Sequence, residues 1–110
     1  MAYKVSKRIE PERWNAILEA NKPDLQRFFS NVDHLSRLRY GSRNRAVIAL
    51  RAKTGWITTS HTVREFINGV FLIADINLLR SWSLLFGESL PDMLSRDYAK
   101  EDELKGLALK

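Results

Sequence analysis

Two short stretches of this sequence carry residues whose types and spacing suit the binding of phosphate. In "GSRNR" Ser42 stands where a helix would begin, and Arg43 and Arg45 follow in its first turn. That end of a helix already carries partial positive charge, so two arginines there oppose the dipole. Free N–H groups and guanidiniums together make an anion site, and Ser42 and Asn44 can add hydrogen bonds. In "TTSHTVR" Thr58, Thr59 and Ser60 precede another helix start, with Arg64 one turn on. Both stretches share a hydroxyl-bearing turn, a helix N-terminus and an arginine.

These residues lie inside a wider basic region. From His34 to Arg64 the basic residues are Arg37, Arg39, Arg43, Arg45, Arg51, Lys53 and Arg64, with no Asp or Glu among them. The chain as a whole has 18 Lys and Arg against 13 Asp and Glu, a formal net charge of +5. Taking away the seven leaves 11 basic residues against 13 acidic, so the whole positive excess sits in this one stretch. Such an asymmetry bears on partners rather than on fold. Arginine outnumbers lysine six to one there, and guanidinium suits bidentate phosphate contact better than ammonium. Tyr40 and Trp56, at the two glycine turns flanking "RNRAVIALRAK", offer faces on which a base can stack, or serve as lids of the core.

Other chemistries find little support. The chain has no cysteine and two histidines, so it lacks a thiolate nucleophile, a disulfide framework and a Cys-based zinc site. Neither His34 nor His61 has a second His or a Cys at i+3 or i+4. No Walker loop or G-x-G-x-x-G is present. His34 is expected on a solvated face. Asp75, the one acid within "VFLIADINLL", is expected to pair with Arg64 or Arg80 or to cap a helix break. The expectation is a non-enzymatic protein with no metal, cofactor or small-molecule substrate. The lack of cysteine fits a reducing cytoplasm. "MAYKVSKRIE" has no apolar run behind its cations, so it does not read as a secretory signal. "VFLIADINLL" is too short for a membrane span.

The elements that position these residues read as helices. The chain of 110 residues, 45% hydrophobic, fits a single domain over 1–110, with about eight residues at each end expected to fray. A first helix is expected from Pro11, with Trp14, Ile17 and Leu18 as its stripe, stopped by "NKP". Pro23 then starts a second, in which Leu25, Phe28, Phe29, Val32 and Leu35 follow helical spacing. Gly41 ends it. Ser42 caps a third, which Gly55 ends. A fourth is expected from a Thr62–Glu65 capping box to Phe86, with Gly69 inside it and a break near Asp75 to Asn77. Val63, Phe66, Ile67, Val70, Ile73 and Ala74 form its core face, with Leu72, Ile76 and Leu79 turned the other way. A last helix starts near Pro91. The expectation is an all-α, compact bundle of about five helices.

"WITTSHTVREFINGV", Trp56 to Val70, resembles a stretch in the small subunits of CRISPR RNA-guided effector complexes. There a hydrophobic residue, Thr-Thr-Ser, a polar residue, an aliphatic residue and Arg open a helix. The resemblance implies a small, basic, all-α and non-catalytic subunit of a ribonucleoprotein. Copies of it would stack with one another and with other subunits and contact RNA or single-stranded DNA through the backbone. Arg64, Thr58, Thr59 and Ser60 would be among those contacts. Two other readings stand beside it: a sequence-specific DNA-binding regulator of phage or plasmid type, and an adaptor or inhibitor docking an acidic protein surface.

Overall fold

Pro23 sits inside a helix rather than at the start of one. A computed structural model describes residues 10–106, and its first helix, α1, runs unbroken over Pro11–Tyr40. An interior proline removes one backbone hydrogen bond and costs roughly 3 kcal/mol. Two features hold the helix through it. The residues beyond Pro23 bury Leu25, Phe28, Phe29, Val32 and Leu35. A passing loop also braces it on both sides of the proline, where Gln26 Nε2 donates to the Ile67 carbonyl at 3.0 Å and Asn21 Nδ2 reaches the Leu72 carbonyl at 3.5 Å. At about 1.5 Å per residue the 30 residues of α1 account for most of the molecule's 49 Å longest dimension. The expected stripe before the proline has little to pack on: Trp14 and Ile17 are exposed.

The helix α2, Arg43–Thr54, lies where expected. The Ser42 hydroxyl caps it by accepting from Arg45 N–H, and Gly55 ends it in a left-handed conformation at φ 79°. The expected long fourth helix is two. The first, α3, spans Ser60–Ile67, and its N-cap is Thr59, which accepts from Thr62 N–H, instead of Thr62. At Gly69 the backbone turns left-handed, φ 75°. Val70 N–H then bonds back to the Glu65 carbonyl at 2.9 Å, which closes the helix end. The second, α4, spans Ile76–Phe86, capped by Asp75, whose carboxylate accepts from Asn77 N–H at 2.7 Å. Asp75 is thus the cap of a helix break, one of its expected roles. Val70 and Ile73, expected in the core, are each 58% exposed in the intervening loop, and Ile76 is exposed too. Among the described residues there are six helices and no strand, so the all-α bundle holds with one helix more than expected.

The helix after Pro91 also divides, into α5, Leu90–Ser95, and α6, Tyr98–Leu104. Asn31, buried on α1, makes the division. Its amide donates to the carbonyls of Met93 at 2.9 Å and Arg96 at 2.7 Å, and its oxygen accepts from Tyr98 N–H at 3.2 Å. One side chain thus serves three backbone groups that the broken helix leaves over. By folding back, α6 covers the polar side of α1. His34, expected in solvent, is 5% exposed, with Nε2 2.6 Å from Asp102 Oδ2. The N-terminal residues expected to fray lie outside the described residues. At the other end α6 is helical to Leu104, and residues 107–110 lie outside the described residues as well.

The core is one cluster in which Trp82, Phe28, Phe29 and Met93 are fully buried, with Phe29 and Phe66 stacked 4.1 Å apart. Tyr98 joins it, its hydroxyl donating to Glu88 Oε1 at 2.9 Å. Burial first, and this hydrogen bond second, push the phenol up from 10.0 to about 12, against the opposing Arg96 guanidinium over its ring. The folded value is the raised one. The contribution of Tyr98 to stability is therefore whole below pH 10 and is lost as pH climbs towards 12. An alkaline titration of tyrosinate absorbance should show a late-titrating tyrosine. Tyr98→Phe should remove that step; a step unchanged in the variant would refute the assignment.

Candidate nucleic-acid interface

The turns before α2 and α3 are distant in sequence but border one cleft. Gly41, Ser42, Arg43 and Asn44 line it from the first turn, Ser60, His61 and Arg64 from the second, and Arg37 from the last turn of α1. Its volume is about 430 Å³. The left-handed Gly41, φ 89°, lets the chain leave α1 and enter α2 within two residues. This sets Arg37 and Arg43 on the same side. A Cβ at Gly41 would also stand 3.3 Å from the Arg45 guanidinium, so that position has little room.

The backbone of both helices adds donors. In α2 Arg45 N–H is taken by the Ser42 hydroxyl and Ala46 N–H by the Ser42 carbonyl. In α3 Thr62 N–H is taken by the Thr59 hydroxyl and Val63 N–H by the Thr59 carbonyl. The amides of Arg43, Asn44, Ser60 and His61 have no helical carbonyl four residues back to bond, and all four residues line the cleft.

The cleft is not a bare set of cations, and here the chain departs from its appearance in sequence. Asp33, one residue before the acid-free stretch, places Oδ1 3.0 Å from Arg37 Nε and 2.9 Å from Arg43 Nε. Glu65, one residue after it, lies 3.7 Å from Arg64 Nε. The conflict between Arg43 and the α2 dipole is thus relieved in part within the chain. Both Asp33 contacts use Nε, which leaves the terminal NH2 groups of Arg37 and Arg43 for a ligand. Arg64 NH2 donates to His61 Nδ1 at 2.7 Å, which holds the two side chains together at the edge of α3.

Of the expected contact residues, Arg37, Arg43, Arg64 and Ser60 meet in the cleft. Arg45 is exposed beside Gly41 at its edge. Thr59 serves as the α3 cap, and half-buried Thr58 precedes it. Arg39 is placed elsewhere: its guanidinium donates to the Phe86 carbonyl at 2.7 Å and to Glu88 at 3.1 Å, closing the end of α4. Arg51 and Lys53 sit in the last turn of α2, exposed, and do not line the cleft. Tyr40 and Trp56 pack against the core, Tyr40 edge-on to Phe86. That is the lid arrangement instead of a free stacking face. His61 and Asp33 were not singled out as site residues in the sequence. The signals for them were the i,i+4 spacing of Asp33 to Arg37 and the place of His61 beside Ser60 at a helix start. Among the described residues no group of three or more His, Cys, Asp or Glu could hold a metal, and no helix is long and apolar enough to cross a membrane. Compared with protein-family models, with curated proteins and with solved structures, the chain gives no match.

Proposed function

We propose that this protein is a non-catalytic helical subunit that binds the phosphate backbone of a nucleic acid. One observation carries the reading: three arginines from three helices converge on a cleft into which two helix N-termini also open. Guanidiniums and free amides are the donor set that phosphate oxygens need. As a recognition helix α3 would offer a thin base-reading set, Arg64, Glu65 and Asn68, and Arg64 lines the cleft, which suits phosphates better than base edges. The likeness of Trp56–Val70 to small subunits of CRISPR effector complexes suggests the assembly, with RNA or single-stranded DNA as the ligand and copies of the chain or other subunits as neighbours.

The test is fluorescence anisotropy with labelled single- and double-stranded RNA and DNA of scrambled sequence, over a range of salt. Binding should weaken steeply with salt, by a log–log slope of about −0.7 per phosphate contact on single strands and about −0.9 on B-form duplex. The preferred strand type points to the assembly. An absence of binding to all four at low salt would end the reading. A specific feature then favours the adaptor alternative. Ile48 on α2 and Ile57 beyond its end are about 70% exposed, and Ile48 stands one turn from Arg51, an apolar and basic pairing suited to an acidic protein surface.

A further inference from the structure

We infer that the cleft takes a terminal phosphomonoester, the phosphorylated end of a strand or a free nucleotide, in preference to an internal phosphodiester. The inference rests on the phosphate-binding reading and names the class of phosphate. Charge argues for it first. The three guanidiniums of Arg37, Arg43 and Arg64 less the carboxylates of Asp33 and Glu65 leave one positive charge. Two helix N-termini contribute about half a charge each, which brings the cleft to about two. A phosphodiester carries one negative charge, whereas a phosphomonoester carries about 1.5 to 2 at neutral pH and presents three acceptor oxygens.

Donor supply argues the same way. Amides of Arg43, Asn44, Ser60 and His61, the terminal nitrogens of Arg37 and Arg43, and the Ser60 hydroxyl exceed what two non-bridging oxygens of a diester accept. Shape is the third argument. The cleft is a concavity of about 430 Å³, within the range of roughly 300 to 1,000 Å³ usual for small-ligand sites. Beyond Arg45 at the edge, the cations of the basic stretch do not continue into a track: Arg39 is tied to Phe86 and Glu88, and Arg51 and Lys53 lie at the far end of α2. A strand that ends in the cleft satisfies all three conditions, whereas one that passes through it does not.

The test compares one oligonucleotide in three forms, with a 5′-phosphate, a 3′-phosphate or hydroxyls at both ends, against the wild-type chain and Asn44→Asp. Asn44 is exposed in the first turn of α2. A carboxylate there suits the helix dipole but repels a bound phosphate, so the variant should melt no lower than wild type. One phosphorylated form should bind wild type about tenfold more tightly than the hydroxyl form, and Asn44→Asp should abolish that preference. A nucleoside monophosphate that displaces the phosphorylated strand identifies free nucleotide as a ligand as well; failure to displace it assigns the cleft to strand ends. Equal affinity for all three forms, with a steep salt slope, would overturn this inference and leave backbone binding intact. A preference that survives in Asn44→Asp would overturn the placement in the cleft. Absence of binding to any form at low salt would overturn both.

Discussion

Replacing Arg43 and Arg64 together by alanine lowers nucleic-acid affinity by about 30- to 150-fold at moderate salt. The figure follows from roughly 1 to 1.5 kcal/mol for each charge-assisted contact, reduced from the buried value because both side chains are partly exposed. The log–log salt slope should become shallower by one to two contacts' worth, about 0.7 to 0.9 each. The loss should be the same for every scrambled sequence, because phosphate contacts carry no sequence information. A loss confined to one sequence would contradict a backbone-only site. The fold should survive, since Asp33 keeps Arg37 as its partner when Arg43 is removed. Arg51→Ala with Lys53→Ala is the matched control. It removes the same number of charges from the far end of α2 and should cost about threefold or less, through the general field alone. If the two double variants lose affinity equally, the cleft has no special part in binding and the basic region acts as a diffuse patch.

Asn31→Ala should destabilise the protein by about 4 kcal/mol, the largest effect expected of a single substitution outside the apolar core. Three backbone groups depend on that side chain: the carbonyls of Met93 and Arg96 and the amide of Tyr98. The bonds to Met93 and Tyr98 are buried and that to Arg96 is half-buried, and each buried group left without a partner costs about 1 to 3 kcal/mol. Domains of this size are stable by only about 5 to 15 kcal/mol, so the variant should unfold at a much lower denaturant concentration. Loss should concentrate where the bonds are. Amides of α5 and α6 should exchange with solvent faster than those of α2 and α3, which Asn31 does not touch. Asn31→Leu should be at least as harmful, because added apolar volume does not replace three hydrogen bonds. A loss below about 1 kcal/mol in Asn31→Ala would mean that water enters and takes over all three bonds, and that the break between α5 and α6 needs no clamp.

Much of the fold was written in local signals. Gly41 and Gly55 as left-handed stops, Ser42 as a cap, and the spacing of Leu25, Phe28, Phe29, Val32 and Leu35 all depend on a few neighbouring residues. The sequence therefore determined the all-α class, the position of α2, and the hydroxyl-plus-arginine character of two helix starts. Where it misled, contacts distant in sequence outweighed local preference. Pro23 stayed inside α1 because the buried face beyond it and the loop near Ile67 and Leu72 hold the helix together. Gly69, although within a helical apolar pattern, took a left-handed conformation and ended α3. Asn31 and His34 look like polar surface residues until α5 and α6 fold over them, 60 or more positions later in the chain. The candidate site divides in the same way. Its residue types were legible, but sequence spacing does not show that Arg37, Arg43 and Arg64 share one cleft, while Arg39 closes α4 and Arg51 and Lys53 face outward. That sorting was decided by the packing of α1, α2 and α3, because the direction of a charged side chain follows from the helix that carries it and from what that helix is packed against.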